Sequence, residues 1–177
     1  MKIFITKGER TMNTLKKEFD EIVKLCEEKI DEYGERASYF MEPATEEEIV
    51  KWEEESNIKM PEDYKEWLKL TKTCQVCSTI ASLIFPQTKQ PDFLPDDYVL
   101  IGYVVGDGEV LCFSKNTGKY ITYFEGKVDE EYDDLVSVLK SIKKDIKGEL
   151  PDINLTDDRL ARMMANLDEM ISKGENR

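Results

Sequence analysis

Cys74-x-x-Cys77 is the one spacing in the chain that suggests chemistry unaided. Two thiols so placed are half of a zinc site or a redox pair. A closed zinc site needs two further thiolate or imidazole ligands. The remaining cysteines, Cys26 and Cys112, are distant singles at apolar positions of an expected helix and an expected strand. A thioredoxin-type pair sits between a strand and a helix N-terminus that lowers the thiol pKa. This pair instead follows a helix and precedes a strand. It reads as incidental buried or loop cysteines, and neither a metal nor another cofactor is expected.

The chain has no histidine. That removes Ser–His–Asp and Cys–His catalysis, His-ligated metal and the usual general base near neutral pH. An enzyme built here would have to use carboxylates, Lys, Tyr or Cys, and no catalytic residue is expected. Gly106-Asp107-Gly108 has the look of a phosphate loop, but such a loop needs a helix N-terminus behind its glycines and usually a Lys. This one joins two expected strands and is followed by Glu109, so it reads as a hairpin turn. The run from Asp152 fails as a calcium loop, because Asp157 stands where glycine is required and the closing glutamate is missing.

The formal net charge of −13 and the isoelectric point near 4.6 argue against nucleic acid and anionic lipid, both of which are bound through clustered Lys and Arg. A basic protein is the electrostatic complement. Residues 42–66 hold ten Asp or Glu against three Lys, which reads as the solvated face of two helices.

Several elements must position these groups. Thr45 followed by Glu48 forms a capping box that opens a helix. Pro61 is placed as a first-turn proline, with Glu62 and Asp63 at the positive end of a second helix dipole. Tyr64, Trp67, Leu68 and Thr71 then recur at helical spacing and should be core. Leu15, Phe19, Ile22, Cys26, Ile30 and Tyr33 predict an amphipathic helix over about 14–33, stopped by Gly34 and packed on its own domain. Gly34 to Pro43 reads as a linker, and residues 2–6 as a short strand or ordered tail. After Leu70 comes a loop and then a strand near 80–85, followed by a surface loop punctuated by Pro86, Pro91 and Pro95.

From Tyr98 the segments YVLIGYVV, EVLCFS and KYITYF predict three antiparallel strands, turning at 106–108 and 115–118. Asp129 is the expected cap of a further helix lined by Tyr132, Leu135, Leu139, Ile142 and Ile146, with Gly148 at its end. Leu160, Met163, Met164, Leu167, Met170 and Ile171 predict a terminal helix over 156–173 whose methionines are core. The expected organisation is one domain with helical additions: an N-terminal extension at 1–36, a central domain at 37–148, and a C-terminal helix within 149–177 packed on it. No run approaches the roughly 20 apolar residues that cross a bilayer, and the opening MKIFITKGER lacks a signal-peptide core. A cytoplasmic location and no membrane partner are expected.

The topology also predicts a charged rim. Successive antiparallel strands reverse direction, so the 106–109 turn and the segment after the third strand should emerge together. That end collects Asp107, Glu109, Glu125, Asp129, Glu130 and Glu131, with Lys127 as the nearby base. At the other end Asp96 and Asp97 face Lys115 and Lys119, and the charge largely balances.

The stretch TEEEIVKWEEESNIKMPEDYKEWL, followed by LIGYVVGDGEVLCFSKNTGKY and a helix, resembles the SUKH superfamily of Smi/Knr-like proteins over about 43–147. Thr45, Glu48, Ile49, Ile58, Met60, Pro61, Asp63, Tyr64, Trp67 and Leu68 match the family's helix pair. Ile101, Gly102, Gly106, Asp107 and Gly108 match its later strand and turn. TKTCQVC replaces the family's usual Asn-Gly after the second helix, and the terminal helices lie outside the shared region. The resemblance implies an α+β fold, with helices packed on one antiparallel β-sheet, here carrying extra N- and C-terminal helices. It implies no catalytic residues and a role in neutralising bacterial toxins, often nucleases or deaminases. The expected function is therefore non-enzymatic: an immunity protein whose acidic rim binds a basic toxin domain. The alternative is a regulatory adaptor that binds another cellular protein through its terminal helices.

Overall fold

The computed structural model describes residues 7–29, 38–77, 80–104 and 108–148, with side chains from residue 11 onward. In chain order the elements are α1 (Lys7–Glu28), β1 (Tyr39–Phe40), α2 (Glu46–Ser56), α3 (Glu62–Leu68), β2 (Cys74–Val76), β3 (Ala81–Leu83), β4 (Tyr98–Val104), β5 (Glu109–Ser114), β6 (Tyr120–Phe124), β7 (Lys127–Tyr132) and α4 (Leu135–Lys147). The strands form one antiparallel sheet in the order β1 to β7, so the architecture is α+β. The expected strand at 2–6, the end of the first helix at Ile30 and Tyr33, and the helix at 156–173 lie outside the described residues.

Local chemistry accounts for the helix pair. Thr45 Oγ1 accepts the Glu48 amide at 3.2 Å, and the Glu48 carboxylate accepts the Thr45 amide at 2.9 Å. This closes the capping box that opens α2. Asn57, at φ 55°, ends α2 in a left-handed cap. Pro61 is the N-cap of α3, one residue before the expected first-turn position, and its carbonyl accepts the amides of Tyr64 and Lys65. The buried Glu53 accepts the Met60 amide at 2.9 Å and Lys59 Nζ at 3.0 Å. One carboxylate thus ties the linker between α2 and α3 back onto α2.

One face of the sheet carries the main core. Ile49, Trp52, Tyr64, Trp67 and Leu68 from the helix pair meet Val99, Ile101, Leu111, Phe113 and Tyr120 from the strands. From α4, Leu135, Val138, Leu139, Ile142 and Ile146 complete it. Helix α1 adds Leu15, Ile22 and Cys26 to the same core, and Phe19 sets its ring edge-on to Phe40 and Trp67. Thr71 is buried, its hydroxyl donating to the Met41 carbonyl at 2.9 Å. Asp63 joins three elements: Oδ1 accepts the Tyr120 hydroxyl at 2.7 Å and Oδ2 accepts the Leu135 amide at 2.8 Å, capping α4.

Gly102 shows why one strand residue must lack a side chain. A Cβ there would lie 2.1 Å from the Ser82 carbonyl oxygen of β3. The β4–β5 register shifts between Leu100 and Gly102, so the glycine also stands beside a bulge on its other edge.

Three expectations are corrected. The Gly34–Pro43 linker contains β1, and the loop after Leu70 contains β2, which pairs with β1 and β3. Asp129 caps no helix, because it lies within β7. Glu125 and Gly126, at φ 47° and 82°, form a two-residue turn with both residues left-handed, and Phe124 pairs with Lys127 across it. Such turns suit the twist of a hairpin, so pairing overrides the helical leaning of KVDEEY. The residue before α4 is Asp134, whose Oδ1 accepts the Ser137 amide at 2.8 Å and so caps the helix together with Asp63.

Candidate functional site

The sheet's second face, opposite the helices, holds its own small apolar cluster of Leu94, Leu100, Val110, Cys112 and Ile121, with Ile84, Tyr98 and Tyr123 packed on it. Residues directly opposite in an antiparallel ladder share a face. The register Ser82–Tyr103–Val110–Tyr123–Val128 therefore draws one line across five strands, β3 to β7. Tyr103 is 45% and Val128 43% exposed along that line. Tyr98 sets its ring edge-on to Tyr123 with centroids 5.8 Å apart. Burial, then the Asp97 charge, pushes the Tyr98 hydroxyl above its ordinary range, so it stays protonated. Phe93, 62% exposed, stands beside Leu94 in the segment laid on this face.

Of the six predicted acidic residues, the five that are described are spread between a strand that faces the helices, a turn and the edge strand. Asp107 lies outside the described residues. Glu109 is only 5% exposed; it pairs with the core residue Val104, which turns its side chain toward the helices. Glu125 stands at the tip of the β6–β7 turn. Asp129, Glu130 and Glu131 follow along β7, which runs back toward the other end of the sheet. The Glu130 carboxylate accepts the hydroxyl of Tyr132, on the helix side. Glu131 lies opposite Ile121 and so on the outer face, where it pairs with Lys119 at 2.8 Å. Lys119 also meets Asp133 at 3.0 Å, and the hydrogen bonds it donates to Glu131 and then Asp133 raise its pKa. Lys127 sits on β7 itself. At the 115–118 turn Asp97 accepts the Ser114 hydroxyl and the Asn116 amide, while Lys115 Nζ donates to the Asp96 carbonyl.

The tyrosines escape a reading of the bare sequence because YVLIGYVV has no clean alternation. Val99, Ile101 and Val104 face the helices, and the bulge shifts the phase so that Tyr103 turns outward. A glycine after a β-branched residue in a strand is the only local sign of it.

Cys74 and Cys77 do not face each other as a pair. All four cysteines are free and buried, and the partner of Cys77 is Cys26. Among the described residues no group of three or more Cys, Asp or Glu could hold a metal ion. None of the described helices is long and apolar enough to cross a membrane.

No curated protein matches the chain. A family profile does, over residues 43–144, a span that runs from just before the capping box of α2 into α4. Helix α1 lies wholly outside that span. On this match the chain belongs to the SMI1 / KNR4 family (SUKH-1).

Proposed function

We propose that this protein neutralises a basic bacterial toxin domain, such as a nuclease or deaminase, by binding it on the outer face of the sheet. The family is one of toxin-immunity proteins. The observation that carries the reading further is the line Tyr103–Val110–Tyr123–Val128 on an acidic molecule, in which Tyr103 and Val128 stand exposed on either side of the buried Val110 and the half-buried Tyr123. Tyrosine supplies large contact area at low entropic cost and is enriched at interface centres. The acidic hairpin beside it, with Glu125, Asp129, Glu130 and Glu131, steers a basic partner toward the strip. Glu109 faces the helices and takes no part in this contact. Binding of this kind needs no catalytic group.

The test is co-expression with a toxin encoded beside the gene, paired with binding measurements on the purified domain. Tyr103→Ala with Tyr123→Ala should abolish growth rescue and raise Kd about 100-fold, a typical loss for two central anchors. Glu125→Gln, Asp129→Asn, Glu130→Gln and Glu131→Gln together should slow association about tenfold at low salt and little at high salt. Rescue and Kd that survive the tyrosine changes in a folded protein would place the contact elsewhere.

A further inference from the structure

Two of the buried thiols face each other across the main core. Cys26 on α1 and Cys77 at the end of β2 are separated by 51 positions, yet the Cys77 thiol donates to the Cys26 sulfur at 3.5 Å. A disulfide needs about 2.05 Å, so closure asks for roughly 1.5 Å of approach. The backbone at Cys77 is held in place: its amide donates to Ser38 Oγ at 2.8 Å, and its φ of 44° makes it a left-handed turn residue. Cys112 lies in the cluster on the other face of the sheet, with the strands between it and the pair. Cys74 is in the same core, but its residue is fixed in the β2 ladder opposite Phe40 and Leu83.

We propose that Cys26 and Cys77 are a peroxide-oxidisable pair whose disulfide staples α1, the helix outside the family-matched span, to the sheet. Hydrogen peroxide is the oxidant. One thiolate attacks a peroxide oxygen, the O–O bond breaks, and the departing hydroxide takes a proton to leave as water, giving a sulfenic acid. The second sulfur attacks the sulfenic sulfur as thiolate; the S–O bond breaks, the S–S bond forms, and the hydroxide leaves as a second water with the thiol's proton. Two thiols and one peroxide yield one disulfide and two waters.

Burial, then the contact with Cys26, pushes the Cys77 thiol up to about 11. The Cys77 thiolate is therefore scarce at neutral pH, and its reaction should quicken as pH rises toward that value. Closure of a 51-residue span should raise Tm by on the order of 10 °C.

The experiment treats the full chain with hydrogen peroxide, blocks free thiols after denaturation, and maps cross-linked peptides by mass spectrometry without reductant. A Cys26–Cys77 peptide is expected, with Cys112 still alkylated and a Tm rise that dithiothreitol reverses. Cys74→Ser should keep both the cross-link and the rise, while Cys26→Ser and Cys77→Ser should lose them. Free Cys26 and Cys77 after oxidation, a Cys74–Cys77 bridge, or sulfinic acid without a bridge would each overturn the proposal. The peptide map on the unaltered chain decides the matter even if a variant folds poorly.

Discussion

Asp63 accepts the hydroxyl of Tyr120 at 2.7 Å, a bond between the first turn of α3 and the start of β6. The same carboxylate caps α4 through the Leu135 amide. Asp63→Ala leaves a buried hydroxyl and a helix terminus unpaired at once, and should cost about 2–4 kcal/mol in urea unfolding. Tyr120→Phe should cost about 1 kcal/mol. The double variant should fall short of their sum by on the order of 1 kcal/mol; strict additivity would mean that the bond contributes nothing.

Gly102→Ala should be among the most damaging single-methyl changes in the chain. The obstacle is a backbone carbonyl, 2.1 Å from the added carbon, and no rotamer relieves it. A loss of more than about 3 kcal/mol is expected, by strain against the β3 backbone. Gly118→Ala makes the contrast, since nothing lies within 4 Å and only the φ of 70° penalises it. That change should cost roughly 1–2 kcal/mol when the two variants are compared by urea unfolding.

The Lys143 ammonium lies between Glu18 and Glu21 of α1, 2.5 Å from the latter. Glu18 is buried, and its Oε2 meets Lys143 as charge against charge without a well-directed hydrogen bond. Lys143→Met strands that carboxylate and should destabilise by about 3–5 kcal/mol, with faster amide exchange in α1. Adding Glu18→Leu should recover most of the loss, because the charge that lacks a partner is then gone.

Acid should unfold the protein through a small set of carboxylates. Burial alone would raise the pKa of Glu53, but the Lys59 hydrogen bond, the Met60 amide and the Lys65 charge outweigh it and hold the group below its ordinary 4.5. Glu48 is lowered by Lys72 and then by the Thr45 amide, and Glu21 by Lys143. For each, the unfolded chain takes up a proton first as pH falls. Their stabilisation is therefore complete above the unfolded value near 4.5 and is lost as pH drops from there through the depressed folded values. Thermal melts from about pH 7 to about pH 3 should show this limb, and Glu53→Gln should flatten it while lowering Tm at neutral pH.

The helix pair was legible because caps are local: Thr45 with Glu48, and Pro61 before Glu62, need only neighbours to act. The meander from Tyr98 to Phe124 was legible from its turns and alternation. What escaped depends on partners distant in sequence. β1 and β2 are two and three residues long and exist only by pairing with each other and with β3. β7 is an edge strand of charged residues whose only local signal is Glu125-Gly126. For the same reason the arrangement of the described acidic residues differs from the expected rim. Adding one strand reversed the direction in which Asp129, Glu130 and Glu131 run.

The outer line from Ser82 to Val128 crosses the strands at right angles, taking one residue from each of five. In a pleated sheet each of those positions is flanked by residues pointing the other way. Substitutions along the line can therefore accumulate without touching the packing beneath the helices. The exposed positions of this surface, Tyr103 on β4 and Val128 on β7, can change one strand at a time while the main core stays intact.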